Sequence, residues 1–247
     1  MKPACFFDVD GTLYAHPFHE VSQETIGALH ALKDHEYFLA LNTSRSKEEL
    51  AHVPSSLMNI GFDAYILDGG ASIYDRSMHL RSATPIDDQI VSSIATYCEK
   101  QQICWRYSSV SGSYWGNSYI TSYMKEAYWQ LYFLRMDVKP WNGETVFNIM
   151  MESNDRSLAS DCTITLFPGC MEIRAKQTDK WTGIQQLSSL SPILCFGDGD
   201  NDVCMLEKAD IGIAMANASL ACKQAADVIC GSVHESSIAT FVKEYLK

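Results

Sequence analysis

Ala4-Cys5-Phe6-Phe7-Asp8-Val9-Asp10-Gly11-Thr12-Leu13 begins apolar and then turns abruptly acidic. A short apolar run halted by acids reads as a buried strand over residues 4–7. In an open α/β sheet, ligands bind beyond the carboxyl ends of such strands. Asp8 and Asp10 stand at i and i+2, so in extended chain both carboxylates project to one side. Two anions facing one site repel, and a hard divalent cation such as Mg2+ relieves that repulsion. Gly11 permits a sharp exit that a side chain would obstruct. The competing interpretation is an ordinary Asp-Gly turn or helix cap.

Outward from this stretch, strand and helix patterns alternate. A helix over residues 23–35, capped by Ser22, carries Ile26, Leu29 and Leu32 on one face. A strand follows at 37–42, then a helix from about Ser46 that Pro54 limits. A third strand at 64–67 is stopped by Asp68-Gly69-Gly70. The last third repeats the alternation, with helices at 180–190, through Glu207, at 219–226 and at 236–246. Strands lie between them at 193–196, 211–214 and 228–229. This predicts a Rossmann-like α/β core with a mostly parallel sheet. Between about Thr84 and Pro168 the pattern changes. Helices are expected at 87–101 and 119–130, and strands at 103–107, 146–151 and 164–167. The reading is a core domain of residues 1–83 and 169–247, interrupted by an inserted α+β cap domain of residues 84–168.

Three further segments carry chemistry. Ile193-Leu194-Cys195-Phe196 runs into Gly197-Asp198-Gly199-Asp200-Asn201-Asp202, a second acidic strand end. Counted as a calcium loop from Asp198, its sixth and twelfth positions hold Val203 and Ala209 instead of Gly and Glu, which excludes that motif. Thr43-Ser44-Arg45 follows the second strand and offers hydroxyls and a guanidinium to phosphate oxygens, although Thr-Ser before a helix also serves as a cap. Lys180 precedes the second acidic strand end at a helix start.

In this order, the four segments resemble the haloacid dehalogenase-like hydrolase superfamily, and within it the Cof-type sugar-phosphatase branch with an α/β cap between motifs two and three. The resemblance rests on Asp8-Val9-Asp10-Gly11-Thr12, on Gly197-Asp198-Gly199-Asp200-Asn201-Asp202 and on Ala209-Asp210-Ile211-Gly212-Ile213-Ala214-Met215-Ala216-Asn217-Ala218. It implies a Mg2+-dependent phosphatase in which Asp8 is nucleophile and metal ligand. Asp10 is then the general acid/base and lends its carbonyl to the metal. Thr43 and Lys180 hold the phosphoryl group, Asn201 touches it, and Val9 and Ser44 contribute backbone N–H groups. Asp198 ligates the metal, and Asp202 supports its waters and Lys180. Two departures stand out: Thr43-Ser44-Arg45 where the branch usually has Thr-Gly-Arg, and Asp68-Gly69-Gly70-Ala71 where it often has Asn-Gly-Ala. Both bear on substrate choice, not on reaction class.

Composition narrows the partners. The 247 residues are 47% hydrophobic, enough for a sizeable core. A net charge of −11 argues against a nucleic-acid partner, which clustered Lys and Arg would attract. Nine irregularly spaced cysteines without a CxxC read as reduced core thiols. The N-terminus is not a signal peptide, and no apolar run reaches membrane-spanning length, so a soluble, cytoplasmic protein is expected. The dense aromatics of the middle segment are expected mainly to pack. The anticipated substrate is a small phosphorylated metabolite, sugar phosphates first. A phosphomutase or phosphotransferase on the same scaffold, or a non-catalytic phosphate-binding protein, are the alternatives. Monomer and homo-oligomer are equally compatible with the sequence.

Overall fold

The computed structural model describes residues 1–15, 21–119 and 136–247. Strands β1 (Lys2–Phe7), β2 (Phe38–Asn42), β3 (Ala64–Leu67), β4 (Ser72–Asp75), β5 (Leu80–Ala83), β11 (Leu190–Gly197), β12 (Ile211–Ala214) and β13 (Val228–Ile229) form one sheet. Its order is β13-β12-β11-β1-β2-β3-β4-β5. The pairings from β13 to β3 are parallel, and β4 and β5 add an antiparallel edge. The apolar stretch that opens the chain is therefore a central strand, and Ala4 through Phe7 are buried. Helix α1 (Gln23–Asp34) starts where the Ser22 hydroxyl accepts from the Thr25 N–H at 3.1 Å, and buries Thr25, Ala28, Leu29 and Leu32. The remaining described α-helices are α2 (Ser55–Met58), α3 (Asp88–Gln101), α4 (Lys180–Gln185), α5 (Val203–Lys208), α6 (Leu220–Ala225) and α7 (Ser237–Tyr245).

A second, antiparallel sheet holds β6 (Trp105–Ser109), β7 (Gly112–Trp115), β8 (Val146–Met151), β9 (Thr163–Phe167) and β10 (Cys170–Arg174), in the order β7-β6-β8-β10-β9. Its two faces differ sharply. Trp105, Tyr107, Ile149, Met151, Met171 and Ile173 share an apolar cluster with Val91, Ile94 and Cys98 of α3. The alternate positions Arg106, Ser108, Asn148, Glu172 and Arg174 are also buried, although polar.

The α/β architecture with a parallel core sheet and a separate antiparallel module is as expected, with local differences. The helix expected from Ser46 is a 3-10 turn, Glu48–His52, because Pro54 interrupts it before α2. The helix expected over 180–190 ends at Gln185, and Leu190 already belongs to β11. β4, β5, β7 and β10 were not anticipated. β10 matters most, because the boundary drawn at Pro168 assigns it to the core, whereas it hydrogen-bonds to β8 and β9 in the second sheet. Its alternating Glu172 and Arg174 mimic a solvated edge, yet both are buried as an ion pair. From residue 120 on, the helix expected at 119–130 lies outside the described residues, as do Tyr123, Tyr128, Trp129, Tyr132 and Phe133. Trp105, Tyr107 and Trp115 are buried packing residues.

Candidate active site

The end of β1 and the end of β11 meet where the Asp8 N–H donates to the Phe196 carbonyl at 2.9 Å. Both acidic strand ends therefore open onto one place. Lys180 enters it from the first position of α4, whose start is fixed by a capping box. There the Asp179 carboxylate accepts from the Thr182 N–H at 2.7 Å, and the Thr182 hydroxyl accepts from the Asp179 N–H at 2.8 Å. The Lys180 side chain is fully buried, and its ammonium donates to Asp8 Oδ1 at 2.6 Å and to Asp202 Oδ1. The other oxygen of Asp202 accepts from the backbone N–H groups of Asp198 and Gly199, each at 2.9 Å, which shapes the loop.

Oxygens of Asp8, Asp198 and Asp202 lie within 4.8 Å of one another. Gly11, at φ +84°, is needed here, since a Cβ on it would sit 2.2 Å from Asp198 Oδ2. The Thr12 hydroxyl donates to Asp198 Oδ1 at 3.1 Å. Asn217 Nδ2 donates to the Gly11 carbonyl at 2.8 Å and reaches Asp198 Oδ2 at 3.4 Å. Burial pulls the Lys180 ammonium down, but Asp202 and Asp8 outweigh it and hold its pKa above the ordinary value. Burial pushes the Asp8 carboxyl well up, against the pull of Lys180. Burial and then the charge of Asp202 push Asp198 up to about 7. Three carboxylates face one lysine, so the cluster carries surplus negative charge on hard oxygen donors. That donor set fits a divalent cation of the Mg2+ kind.

Asp10 is outside this cluster. Arg45 grips its carboxylate with both arms of the guanidinium, Nε to Oδ2 at 2.7 Å and a terminal nitrogen to Oδ1 at 2.6 Å. The sequence reading offered Arg45 to phosphate; the structure gives its guanidinium to Asp10 instead. The Asp10 side chain keeps 21% of its surface exposed, against 6% for Arg45. Thr43 is buried beside them, its hydroxyl accepting from the Arg45 N–H at 3.2 Å. Asn201 Nδ2 donates to the Ser44 hydroxyl at 3.1 Å, which brings two expected phosphate contacts together. The Val9 carbonyl accepts from the N–H groups of Leu13 at 3.0 Å and Tyr14 at 2.8 Å, folding the acidic segment into a tight turn.

A buried lysine bonded to two carboxylates and an acidic cluster at parallel strand ends can be set beside known proteins. Residues 5–242 match the family described as haloacid dehalogenase-like hydrolase. The chain belongs to that family. The HMP-PP phosphatase of Citrobacter koseri is 24% identical over 232 residues, covering 86% of this chain and 83% of that protein. The pyridoxal phosphate phosphatase YbhA of Escherichia coli is 38% identical, but over 73 residues, or 30% of this chain and 26% of that one. Among solved structures, the HAD subclass IIB sugar phosphatase BT4131 superposes with a TM-score of 0.86 at 25% identity, covering 99% of both chains.

Arg45 as the partner of Asp10, Asn217 as a tether of Gly11 and Asp198, and the polar residues of the second sheet near Ser44 were missed in the sequence. Arg45 and Asn217 were visible inside motifs, without a partner to assign. Glu172 and Arg174 carried no local signal at all.

Proposed function

We propose that this protein is a Mg2+-dependent phosphatase of small phosphomonoesters, sugar phosphates first among them. The observation that carries the reading is the buried Lys180 ammonium shared by Asp8 and Asp202, with the Asp198 carboxylate alongside. A lysine so placed orients the Asp8 carboxylate and adds positive charge where a phosphoryl group would sit. Asp8 then attacks phosphorus and forms an aspartyl-phosphate, which divides one difficult displacement into two. Asp10, oriented by Arg45 and partly open to solvent, donates a proton to the leaving oxygen and afterwards takes one from the attacking water. Thr43, Ser44, Asn201 and the N–H of Val9 are placed in this reading as contacts to phosphate oxygens. Asp8, Asp198 and the Asp10 carbonyl would hold the cation, with Asp202 behind them. When bound, the ion neutralises charge on the transferred group.

The two sheets are part of the same proposal. The parallel sheet is the catalytic core, and residues 84–174, β10 included, are the cap that closes over it and excludes water. Closure leaves room for a metabolite and hinders a macromolecule. No described helix is long and apolar enough to cross a membrane, which suits a dissolved substrate. A panel of phosphorylated metabolites, assayed with Mg2+ and with excess chelator, tests the proposal. Turnover that needs both the metal and Asp8 is expected. Full activity in chelator, or in Asp8→Asn, sinks it.

A further inference from the structure

Between Arg45 and α2 the chain makes the 3-10 turn Glu48–His52. So short a turn has few hydrogen bonds of its own. Its supports come from the second sheet. The Glu49 carboxylate folds back to accept from the Ser46 N–H at 2.6 Å. The same carboxylate takes three bonds from the Arg106 guanidinium on β6, at 3.2, 2.9 and 2.9 Å. Arg106 is itself aimed by Asn148 on β8, whose Oδ1 accepts from it at 3.0 Å. On β7, the Ser113 hydroxyl lies 2.7 Å from the Ser46 hydroxyl and 3.0 Å from Glu48 Oε2. Two strands of the second sheet therefore hold one turn, and Ser46, Glu49, Arg106 and Ser113 are all buried.

The other side of that turn reaches the site. The Glu49 carbonyl accepts from one terminal nitrogen of Arg45 at 3.2 Å. The other two nitrogens of the same guanidinium grip Asp10, at 2.7 and 2.6 Å. A guanidinium is planar and its fork is rigid, so fixing one edge fixes the direction of the other. Glu49 thus faces two ways. Its side chain is held by the second sheet, and its carbonyl holds the arginine that aims Asp10. Apolar side chains of similar volume often join packed elements as stably as a buried ion pair does. What the pair adds here is a bond that sets where the Glu49 backbone sits.

We infer that Arg106 and Glu49 are positioning residues for Asp10: the second sheet holds the turn, and the turn holds Arg45 in its two-armed grip. The inference rests on the proposed phosphatase function, and adds that proton transfer at Asp10 depends on a residue of the other sheet. In the first step of that reaction an Asp8 oxygen bonds to phosphorus, the bond from phosphorus to the leaving oxygen breaks, and the Asp10 proton goes to that oxygen. With the turn loosened, Asp10 is present but no longer aimed. Esters whose leaving group needs the proton then suffer, and esters whose leaving group departs unaided do not.

The dependence on leaving group tests this, because a merely structural role would not move it. kcat/KM, which covers the steps up to departure of the leaving group, is compared for p-nitrophenyl phosphate and for the best alkyl phosphate of the metabolite panel. The double variant Arg106→Met/Glu49→Gln removes both buried charges together and should stay folded. It should lose about 10- to 100-fold on the alkyl phosphate, the effect of a displaced catalytic group, and much less on p-nitrophenyl phosphate. Ser113→Ala, a milder change at the same turn, should show the same selectivity to a smaller extent. Asp10→Asn sets its upper limit. If the double variant, shown to be folded by denaturant titration, keeps the wild-type ratio of the two kcat/KM values, the inference is wrong while the phosphatase reading stands. An unselective Asp10→Asn overturns it as well. If the double variant does not fold, Ser113→Ala decides by the same ratio. If the wild type hydrolyses no alkyl phosphate, both the inference and the proposed function are wrong.

Discussion

Two polar clusters adjoin each other through Ser44, which bonds both Asn201 and Glu172, and they are built on opposite principles. At the ends of β1 and β11, Asp8, Asp198 and Asp202 crowd around the single ammonium of Lys180. On the inward face of the second sheet, Arg106 is paired with Glu49 and Arg174 with Glu172. The first cluster is left with surplus charge and the second is nearly balanced. Surplus charge on hard oxygens suits a cation and a transferred phosphoryl group. Under the proposed function, substitutions in the two clusters should fail in different ways.

The largest expected effect is in the catalytic cluster. Asp8→Asn replaces the proposed nucleophile with an amide and should lower kcat on every substrate by on the order of 10⁴-fold or more. Steady-state assays across the panel check this, and a substrate-dependent loss would erase the distinction between the clusters.

Asp10→Asn removes the proposed proton shuttle and leaves the acidic cluster intact. The expected loss in kcat is about 10²–10⁴-fold, greatest for alkyl phosphates, whose leaving group needs the proton. Wild-type turnover of an alkyl phosphate by this variant removes Asp10 from the role.

In the opposite cluster the expected damage is to stability. Arg106 donates to both oxygens of Glu49 at 2.9 Å, and the pair is almost fully buried. Arg106→Met strands that carboxylate and should destabilise by about 3–5 kcal/mol, whereas Arg106→Met/Glu49→Gln should recover most of the loss. Denaturant titration of the three proteins decides it. Equal stability of single and double variants would mean that a stranded Glu49 carboxylate is not the source of the loss.

A smaller effect separates charge from geometry. Arg45→Lys keeps the positive charge beside Asp10 but cannot reproduce the two-armed grip. kcat should fall roughly fivefold, because a positioning contact worth about 1 kcal/mol is lost, and the pH profile of kcat should move. A variant with wild-type kcat and profile shows that charge alone suffices.

The last prediction concerns pH and Asp68, at the seam between the clusters. Burial raises its pKa to about 7, although Arg106, Ser108 and Ser72 pull it back. The folded form therefore holds the proton more tightly than the unfolded form. Its contribution favours folding at low pH and is lost as pH rises from about 4 to about 7. Asp68→Asn should flatten the stability–pH curve in that window, by at most about 1.4 kcal/mol per pH unit. Parallel curves for variant and wild type would place the Asp68 proton elsewhere.

The sequence by itself determined the parallel core and singled out the groups that gather at its strand ends. Asp8, Asp10, Lys180, Asp198 and Asp202 were legible because an apolar strand that stops at acids is a local pattern, and strand ends gather at one edge of a parallel sheet. The tertiary structure alone decided what those groups touch. Arg45 is adjacent to Ser44 in sequence, yet its guanidinium crosses to Asp10 while the Ser44 hydroxyl turns to Glu172, more than a hundred residues away. β10 escaped detection for the same reason. Charged residues alternating along a strand look solvated until another chain segment supplies their counter-ions, and periodicity holds no information about partners brought from afar.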